Sequence, residues 1–139
     1  MKLVFIISFG LLCFAMKFEG EVTSPQQIGA ACQSEDIFQI SSYESSSWPP
    51  VAGGKLTLTI QGAYSLAESV SQIQHVFSNG NLRVYEGILI NKGYPRGARE
   101  TYSSEIAIPQ PSGSWNVTTL MYDSNFLNVL SCWKFNFNI

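Results

Sequence analysis

The chain has 139 residues, of which 13% are charged and 45% hydrophobic, and its formal net charge is −2. This mildly acidic net charge argues against nucleic acid as a partner, because proteins that bind nucleic acids carry a basic face. The length fits a single domain.

The first residues have the pattern of a secretory signal peptide. A positive start at Lys2 is followed by an apolar run over residues 3–13 and by small residues at Cys13 and Ala15 that suit a cleavage site. The run is too short to span a bilayer. We therefore predict a secreted or lumenal protein with a signal peptide at residues 1–15, a flexible lead-in at residues 16–31 and one domain at residues 32–139.

Alternating apolar and polar residues predict about seven short strands, separated by breaks rich in Pro, Gly and Asn. Leu56, Leu58 and Ile60 give the cleanest alternation. Asn79-Gly80 marks a hairpin turn. No long amphipathic helix pattern occurs. The strands are predicted at residues 37–43, 55–62, 70–77, 82–90, 101–108, 113–123 and 130–139.

A glycosylation sequon at Asn116 indicates which way its strand faces. A glycosylated Asn must point to solvent, so Trp115, Val117, Thr119 and Met121 should point inward. Two interpretations stay open for this face. It is either ordinary sandwich core or the wall of a cavity, for which Met and aromatic residues are well suited.

The last strand carries three aromatic residues and Ile139 on one face, at Trp133, Phe135 and Phe137. Such a face packs against an apolar interior. Together the strands predict an all-β, immunoglobulin-like β-sandwich of two antiparallel sheets.

Removal of the signal peptide would leave two cysteines, Cys32 and Cys132, in an oxidising compartment. A bridge between them would close a loop of about 100 residues. The alternative is a pair of free buried thiols.

Little in the sequence indicates catalysis. His75 is the single histidine, it lies within a predicted strand, and no nucleophile-elbow motif marks a serine. No metal-ligand spacing occurs. We therefore predict no enzyme activity, no cofactor and no metal; a hydrolase that uses His75 is the weakest of the hypotheses.

Three cations cluster in the predicted loop at residues 91–99, namely Lys92, Arg96 and Arg99. They form either a solvated loop or a cationic rim that grips a phosphate or carboxylate head group. The same cluster would also suit transient docking on an anionic membrane surface.

Three ordered segments carry a family resemblance: residues 48–62 (WPPVAGGKLTLTIQG), residues 101–117 (TYSSEIAIPQPSGSWNV) and residues 131–139 (SCWKFNFNI). With a cysteine near the start at Cys32, they resemble the ML-domain family of secreted lipid-recognition proteins. That family includes the Niemann-Pick type C sterol carrier and phosphatidylglycerol/phosphatidylinositol transfer proteins. The resemblance covers residues 32–139.

The resemblance implies a sandwich that holds one lipid in an inter-sheet cavity, without catalysis. It also implies that Cys32 is bridged to Cys132 and that Tyr102 and Trp133 belong to strands that line the cavity. A further bridge that the family commonly has in the loop, here residues 91–100, has no counterpart in this chain.

We accordingly expect a protein that binds and transfers a sterol or a phospholipid. The alternative is a non-enzymatic interaction module or receptor co-factor with a solid core, whose partner would be a lumenal membrane protein. The residues expected to line the cavity are Phe77, Tyr102, Ile106, Ile108, Trp115, Val117, Met121, Trp133 and Phe135, and those expected at its rim are Lys92, Arg96 and Arg99.

Overall fold

A computed structural model of the protein describes residues 24–139, so the predicted signal peptide lies outside the described residues. Within that range the chain forms nine strands and no helix. None of these residues therefore belongs to a helix long and apolar enough to cross a membrane. The strands are β1 Gln26–Gln27, β2 Ala30–Ala31, β3 Phe38–Ser45, β4 Lys55–Tyr64, β5 Glu68–Asn79, β6 Leu82–Tyr94, β7 Arg99–Ala107, β8 Ser114–Asp123 and β9 Val129–Asn138.

The strands make two antiparallel sheets that pack face to face. One sheet has four strands in the order β1-β3-β4-β7, and the other has five in the order β2-β9-β8-β5-β6. This arrangement confirms the predicted all-β sandwich of two antiparallel sheets. The strands β6 and β7 lie at the outer edges of their sheets on the same side of the sandwich, where they contact each other without pairing.

All seven predicted strands are present, but the observed ends of two of them shorten the predicted basic loop. β6 continues to Tyr94 and β7 begins at Arg99, so the predicted loop at residues 91–99 is reduced to a turn at residues 95–98. Gly97 in this turn has a φ of 83°, a conformation that glycine adopts without strain. Composition had indicated a loop here, but backbone pairing with β5 extends β6 through it.

The predicted flexible lead-in also needs correction in its described part. Gln26–Gln27 pairs with β3, and Ala30–Ala31 pairs with β9, so this segment crosses from one sheet to the other. Ile28 between them is buried in the core. A two-residue strand is too short to show a periodicity, so no sequence pattern predicts it.

Alternation fixes which side chains enter the core. Trp115, Val117, Thr119 and Met121 are buried, whereas Asn116 is exposed on the opposite face of β8. The predicted facing of this strand is therefore confirmed.

The cysteines form the expected disulfide between Cys32 and Cys132, which are 100 residues apart in the chain. The bridge lies beside the hydrogen bond that the backbone N–H of Cys32 donates to the carbonyl oxygen of Cys132 (3.0 Å). It ties the start of the domain to the closing strand β9.

The antiparallel connections divide the loops between two ends of the sandwich. We call the end that carries the turns at residues 65–67, 95–98 and 124–128 the tyrosine end, because Tyr64 and Tyr94 border these turns. The opposite end, which we call the hairpin end, carries the connections at residues 46–54, 80–81 and 108–113.

Candidate functional site in the space between the sheets

The outer strands β6 and β7 contact each other along one side of the sandwich, which we call the β6–β7 edge. On β6, Val84, Ile88 and Ile90 point toward the space between the sheets and are half-buried. On β7, Tyr102 and Ser104 point toward it and are 8% and 7% exposed. The core-facing side chains at this edge are therefore less completely covered on β6 than on β7.

The residues predicted to line a cavity belong to one continuous hydrophobic core. Trp133 is half-buried: its ring stacks on Tyr43 (5.7 Å between centroids), and its Nε1 donates a hydrogen bond to the carbonyl oxygen of Ile28 (2.8 Å). The other eight are buried, namely Phe77, Tyr102, Ile106, Ile108, Trp115, Val117, Met121 and Phe135.

The interior of the sandwich is nearly filled. A void between the sheets has a volume of about 10 Å³ and is lined by Ile40, Ile60, Ile73, Thr119, Met121 and Ser131. Such a volume holds about one water molecule. Between the described strands, the lipid-sized cavity expected here is therefore not open, and of the predicted lining residues only Met121 borders this void. Alternation shows which side chains point inward, but it does not show how closely the two inward faces approach.

A chain of buried polar groups crosses the core from one sheet to the other. The hydroxyl groups of Tyr43 and Thr119 lie 2.7 Å apart, and Thr119 Oγ1 lies 2.8 Å from His75 Nδ1. On the other side of the imidazole, His75 Nε2 lies 2.9 Å from Ser104 Oγ. Tyr43 and Ser104 come from the four-stranded sheet, whereas His75 and Thr119 come from the five-stranded sheet.

His75 is neutral in this chain of groups. Burial lowers the pKa of His75 to about 4, because the charged imidazolium would lose its hydration. Burial likewise raises the pKa of Tyr43, although its hydrogen bond with Thr119 acts in the opposite direction.

Of the two possible directions of hydrogen bonding along these four groups, one has the smaller cost from an unpaired buried donor. If Tyr43 donates to Thr119 and Thr119 donates to His75 Nδ1, then the protonated Nε2 donates to Ser104. Among these four polar groups, the one hydroxyl hydrogen without a partner then belongs to Ser104 at the β6–β7 edge. In the opposite direction it would belong to Tyr43, which is fully buried. Because unpaired buried donors are costly, the first direction is favoured.

Tyrosines also cluster at the tyrosine end of the space between the sheets. The hydroxyl groups of Tyr64 and Tyr102 are 2.7 Å apart, and Tyr64 donates to Met121 Sδ across the sheets (3.6 Å). The ring of Tyr94 stacks on Tyr64 (4.8 Å between centroids). Burial raises the pKa values of Tyr64 and Tyr102, so both stay neutral.

The three cations predicted as a rim do not line one opening. Lys92 lies on the core-facing side of β6, with its Nζ 4.9 Å from the centre of the Tyr94 ring. Arg96 is exposed in the turn at residues 95–98. Arg99 points to the outer face of the four-stranded sheet, where it lines a different surface depression from that of Lys92. Proximity in sequence does not bring these cations together, because Lys92 points to the core-facing side of β6 whereas Arg99 points to the outer face of β7.

The chemistry available in the core is hydrogen bonding. Ser104 and His75 have the spacing of a hydroxyl–imidazole pair, but the second ring nitrogen faces the Thr119 hydroxyl rather than a carboxylate. Among residues 24–139, no three metal-ligating side chains converge. No sequence pattern indicated Tyr43 or Ser104 as members of this polar chain, and the lone hydroxyl of Thr119 on an otherwise apolar face was its one signal.

These features define the protein as a two-sheet β-sandwich whose inward faces are apolar and aromatic, with a polar connection buried between them. A crystal structure of a Niemann-Pick type C2 protein from Japanese carpenter ant has this fold. The TM-score is 0.64 at 12% sequence identity, and the match covers 81% of this chain and 98% of that chain. No protein-family model matches the sequence, and no curated protein matches it either.

Proposed function

We propose that this protein is a non-enzymatic lipid-binding protein that takes a sterol or a phospholipid tail between its sheets and transfers it between membranes. The observation that carries the proposal is the apolar, aromatic interior of a sandwich that shares the fold of a Niemann-Pick type C2 protein. The Cys32–Cys132 disulfide supports a secreted or lumenal location. The exposed Asn116 is the position we propose for glycosylation.

Binding requires the sheets to move apart, since the void between them is far smaller than an acyl chain. Burial of methylene groups yields about 0.8 kcal/mol each, or roughly 12 kcal/mol for a sixteen-carbon chain before ordering costs. This is enough to offset the loss of some contacts between the sheets. The half-buried side chains at the β6–β7 edge make that side the proposed entrance.

The test is incubation of the purified protein with vesicles of mixed sterols and phospholipids, followed by re-isolation, native mass spectrometry and lipid extraction. A stoichiometric lipid in the re-isolated protein is the expected result. A protein that takes up neither a sterol nor a phospholipid would refute the proposal.

Met121→Ala is expected to enlarge the void and to change lipid uptake. The truncation removes a buried side chain and should cost about 2–5 kcal/mol in the free energy of unfolding, while the affinity for the bound lipid changes several-fold. Leu120→Ala is the matched control, because Leu120 is its neighbour on the opposite, half-buried face of β8. Equal effects of the two variants on uptake would show that the lipid does not occupy the space beside Met121.

The tyrosine end presents the surface that we propose for contact with membranes. Leu66, Phe126 and Leu127 are 53%, 56% and 81% exposed there, on two adjoining turns. The backbone N–H of Ser124 in one turn donates to the carbonyl oxygen of Ser69 (2.8 Å), which lies at the start of β5 just after the other turn. Apolar side chains that protrude in this way are suited to the boundary of a bilayer.

The turn at residues 124–128 is organised by Asp123. Its carboxylate accepts hydrogen bonds from the backbone N–H of Leu127 (2.9 Å) and from Asn128 Nδ2 (2.6 Å). Burial acts to raise the pKa of Asp123, but these hydrogen bonds outweigh it and hold the pKa below its usual value. The turn therefore presents Phe126 and Leu127 in a fixed orientation.

Phosphate groups of the bilayer would meet cations beside these turns. Lys92 shares a surface depression with Ser124. Arg96 lies next to Gly97, and the N–H of Gly97 donates to the carbonyl oxygen of Tyr64 (2.7 Å), which holds this turn beside the turn at residues 65–67. The half-exposed carboxylates of Glu68 and Glu100 lie at the same end. We therefore expect insertion to depend on the apolar side chains more than on the fraction of anionic lipid.

The double substitution Phe126→Ser/Leu127→Ser is expected to weaken vesicle binding by about tenfold or more, because two apolar side chains no longer enter the bilayer. Vesicle flotation and the rate of transfer between donor and acceptor vesicles measure the effect. Val51→Ser is the control, since Val51 is 73% exposed at the hairpin end. If Val51→Ser weakens vesicle binding as much as the double substitution, the tyrosine end is not the contact surface.

The filled core favours a second candidate function, an interaction module that contacts a lumenal membrane protein. In that case the protein would take up no lipid in the uptake experiment. The exposed side chains at the tyrosine end would then contact a protein rather than a bilayer.

A further inference from the structure

We propose that the polar chain formed by Tyr43, Thr119, His75 and Ser104 selects the ligand: the space between the sheets takes a lipid that carries an uncharged hydroxyl or carbonyl oxygen within its buried part. This inference rests on the proposed lipid-binding function. It adds a chemical requirement that an apolar cavity alone would not impose.

The requirement follows from the way in which the polar chain joins the two sheets. The contact between Tyr43 and Thr119 and the contact between His75 and Ser104 both cross from one sheet to the other. The contact between Thr119 and His75 stays within the five-stranded sheet. A ligand that separates the sheets near His75 therefore breaks cross-sheet hydrogen bonds and must replace them.

A pure hydrocarbon cannot replace them. It would leave the donor at His75 Nε2 and the hydroxyl of Ser104 buried without partners, and each such group lowers affinity by roughly five- to a hundredfold. A ligand oxygen between these two groups accepts a hydrogen bond and removes the penalty. The interior therefore discriminates between lipids of the same shape by a single oxygen atom.

Ser104 is placed to make this contact. It lies on β7 at the β6–β7 edge, it is 7% exposed, and its hydroxyl hydrogen is the one that the favoured direction of the chain leaves without an acceptor. The ligand oxygen is expected to accept this hydrogen. An oxygen-bearing lipid entering from the edge meets Ser104 before it meets the other members of the chain.

The oxygen is expected to be uncharged for two reasons. The imidazole of His75 is neutral, so it offers no compensating positive charge. Glu86 pairs directly across from His75 on the core-facing side of β6 and is half-exposed. A ligand carboxylate beside His75 would be repelled by the carboxylate of Glu86.

The first test uses the unmodified protein and two probes of the same shape, cholesterol and cholest-5-ene, which lacks the hydroxyl group. Because the chain has a single histidine, ¹⁵N labelling of histidine gives side-chain signals that belong to His75 alone. Cholesterol is expected to shift the Nε2 signal, and the hydrocarbon is expected to bind at least tenfold more weakly. Binding of both probes with equal affinity and unchanged His75 signals would overturn the inference.

The second test repeats the affinity comparison on variants. Ser104→Ala and Thr119→Val are expected to reduce the preference for cholesterol over cholest-5-ene toward onefold. Ser103→Ala and Thr118→Val, which change hydroxyl groups on the opposite faces of the same strands, are expected to keep it. If both Ser104→Ala and Thr119→Val keep the preference for cholesterol, the ligand oxygen lies elsewhere and the inference is overturned. If neither variant folds, the ¹⁵N measurement decides.

Failure of the inference and failure of lipid binding are distinguishable. Uptake of both probes without discrimination overturns the selection by the polar chain and leaves lipid binding intact. If cholesterol fails to bind but a phospholipid binds, the ¹⁵N measurement is made with that phospholipid, and unchanged His75 signals overturn the inference. Uptake of no lipid at all refutes the proposed function itself.

Discussion

Cys32→Ser/Cys132→Ser is expected to lower the free energy of unfolding by about 4–5 kcal/mol, the largest single effect that we predict. The bridge joins residues 100 positions apart, so its loss releases a long loop in the unfolded chain. The two edge strands β1 and β2, which hold the start of the domain, each have two residues and cannot replace it. Denaturant unfolding of the variant and of the oxidised protein measures the difference.

Reduction of the unmodified protein provides the matched control, because it breaks the same bond without changing a residue. Both routes should give the same loss within the error of extrapolation. A variant whose unfolding midpoint equals that of the oxidised protein would show that the bridge contributes nothing to stability.

Acidification from pH 7 to pH 4 is expected to lower the free energy of unfolding by about 3 kcal/mol through His75 alone. Burial lowers the pKa of His75 in the folded protein to about 4, whereas the unfolded chain has a value near 6.5. Between these two values the unfolded state binds a proton that the folded state does not. This destabilisation is therefore nearly absent above pH 7, grows as the pH falls through 6.5, and is complete only below pH 4.

His75→Gln separates this contribution from that of the carboxylates. Both proteins share every acidic residue, so the difference between their stability curves belongs to His75. The variant is expected to be less stable at pH 7, because the hydrogen bonds to Thr119 and Ser104 are altered, but to lose less stability on acidification. Parallel curves for the two proteins between pH 7 and pH 4 would contradict the assignment.

Local patterns in the sequence predicted the strands well because each strand satisfies a simple rule. Leu56, Leu58 and Ile60 alternate with polar neighbours, and all three are buried in β4. The same rule placed Trp115 inside and Asn116 outside on β8. Boundaries were less well predicted where hydrogen bonding to a neighbouring strand, rather than residue type, decides how far a strand extends, as at Tyr94 in β6.

The inward facing of the candidate lining residues was predicted, and their part in lipid binding stays a prediction. Side chains such as Phe77 and Phe135 were correctly expected to face the interior, because facing follows from parity along a strand. The cations Lys92 and Arg99 were expected at one rim, but Lys92 lies on the core-facing side of β6 and Arg99 on the outer face of β7. Alternation along one strand shows which way its side chains face, but it does not show how two strands that do not pair lie relative to each other.

By itself, the sequence determined the fold class, the inward faces and the two cysteines available for a bridge, because these depend on residue type and spacing over short stretches of chain. Only the tertiary structure decided that the interior is filled and that Tyr43, His75, Ser104 and Thr119 meet within it. These four residues lie on four different strands; His75 and Thr119 pair within one sheet, and Tyr43 and Ser104 reach them only when the two sheets pack. That packing depends on the sum of many side-chain contacts across the core, which no local pattern records.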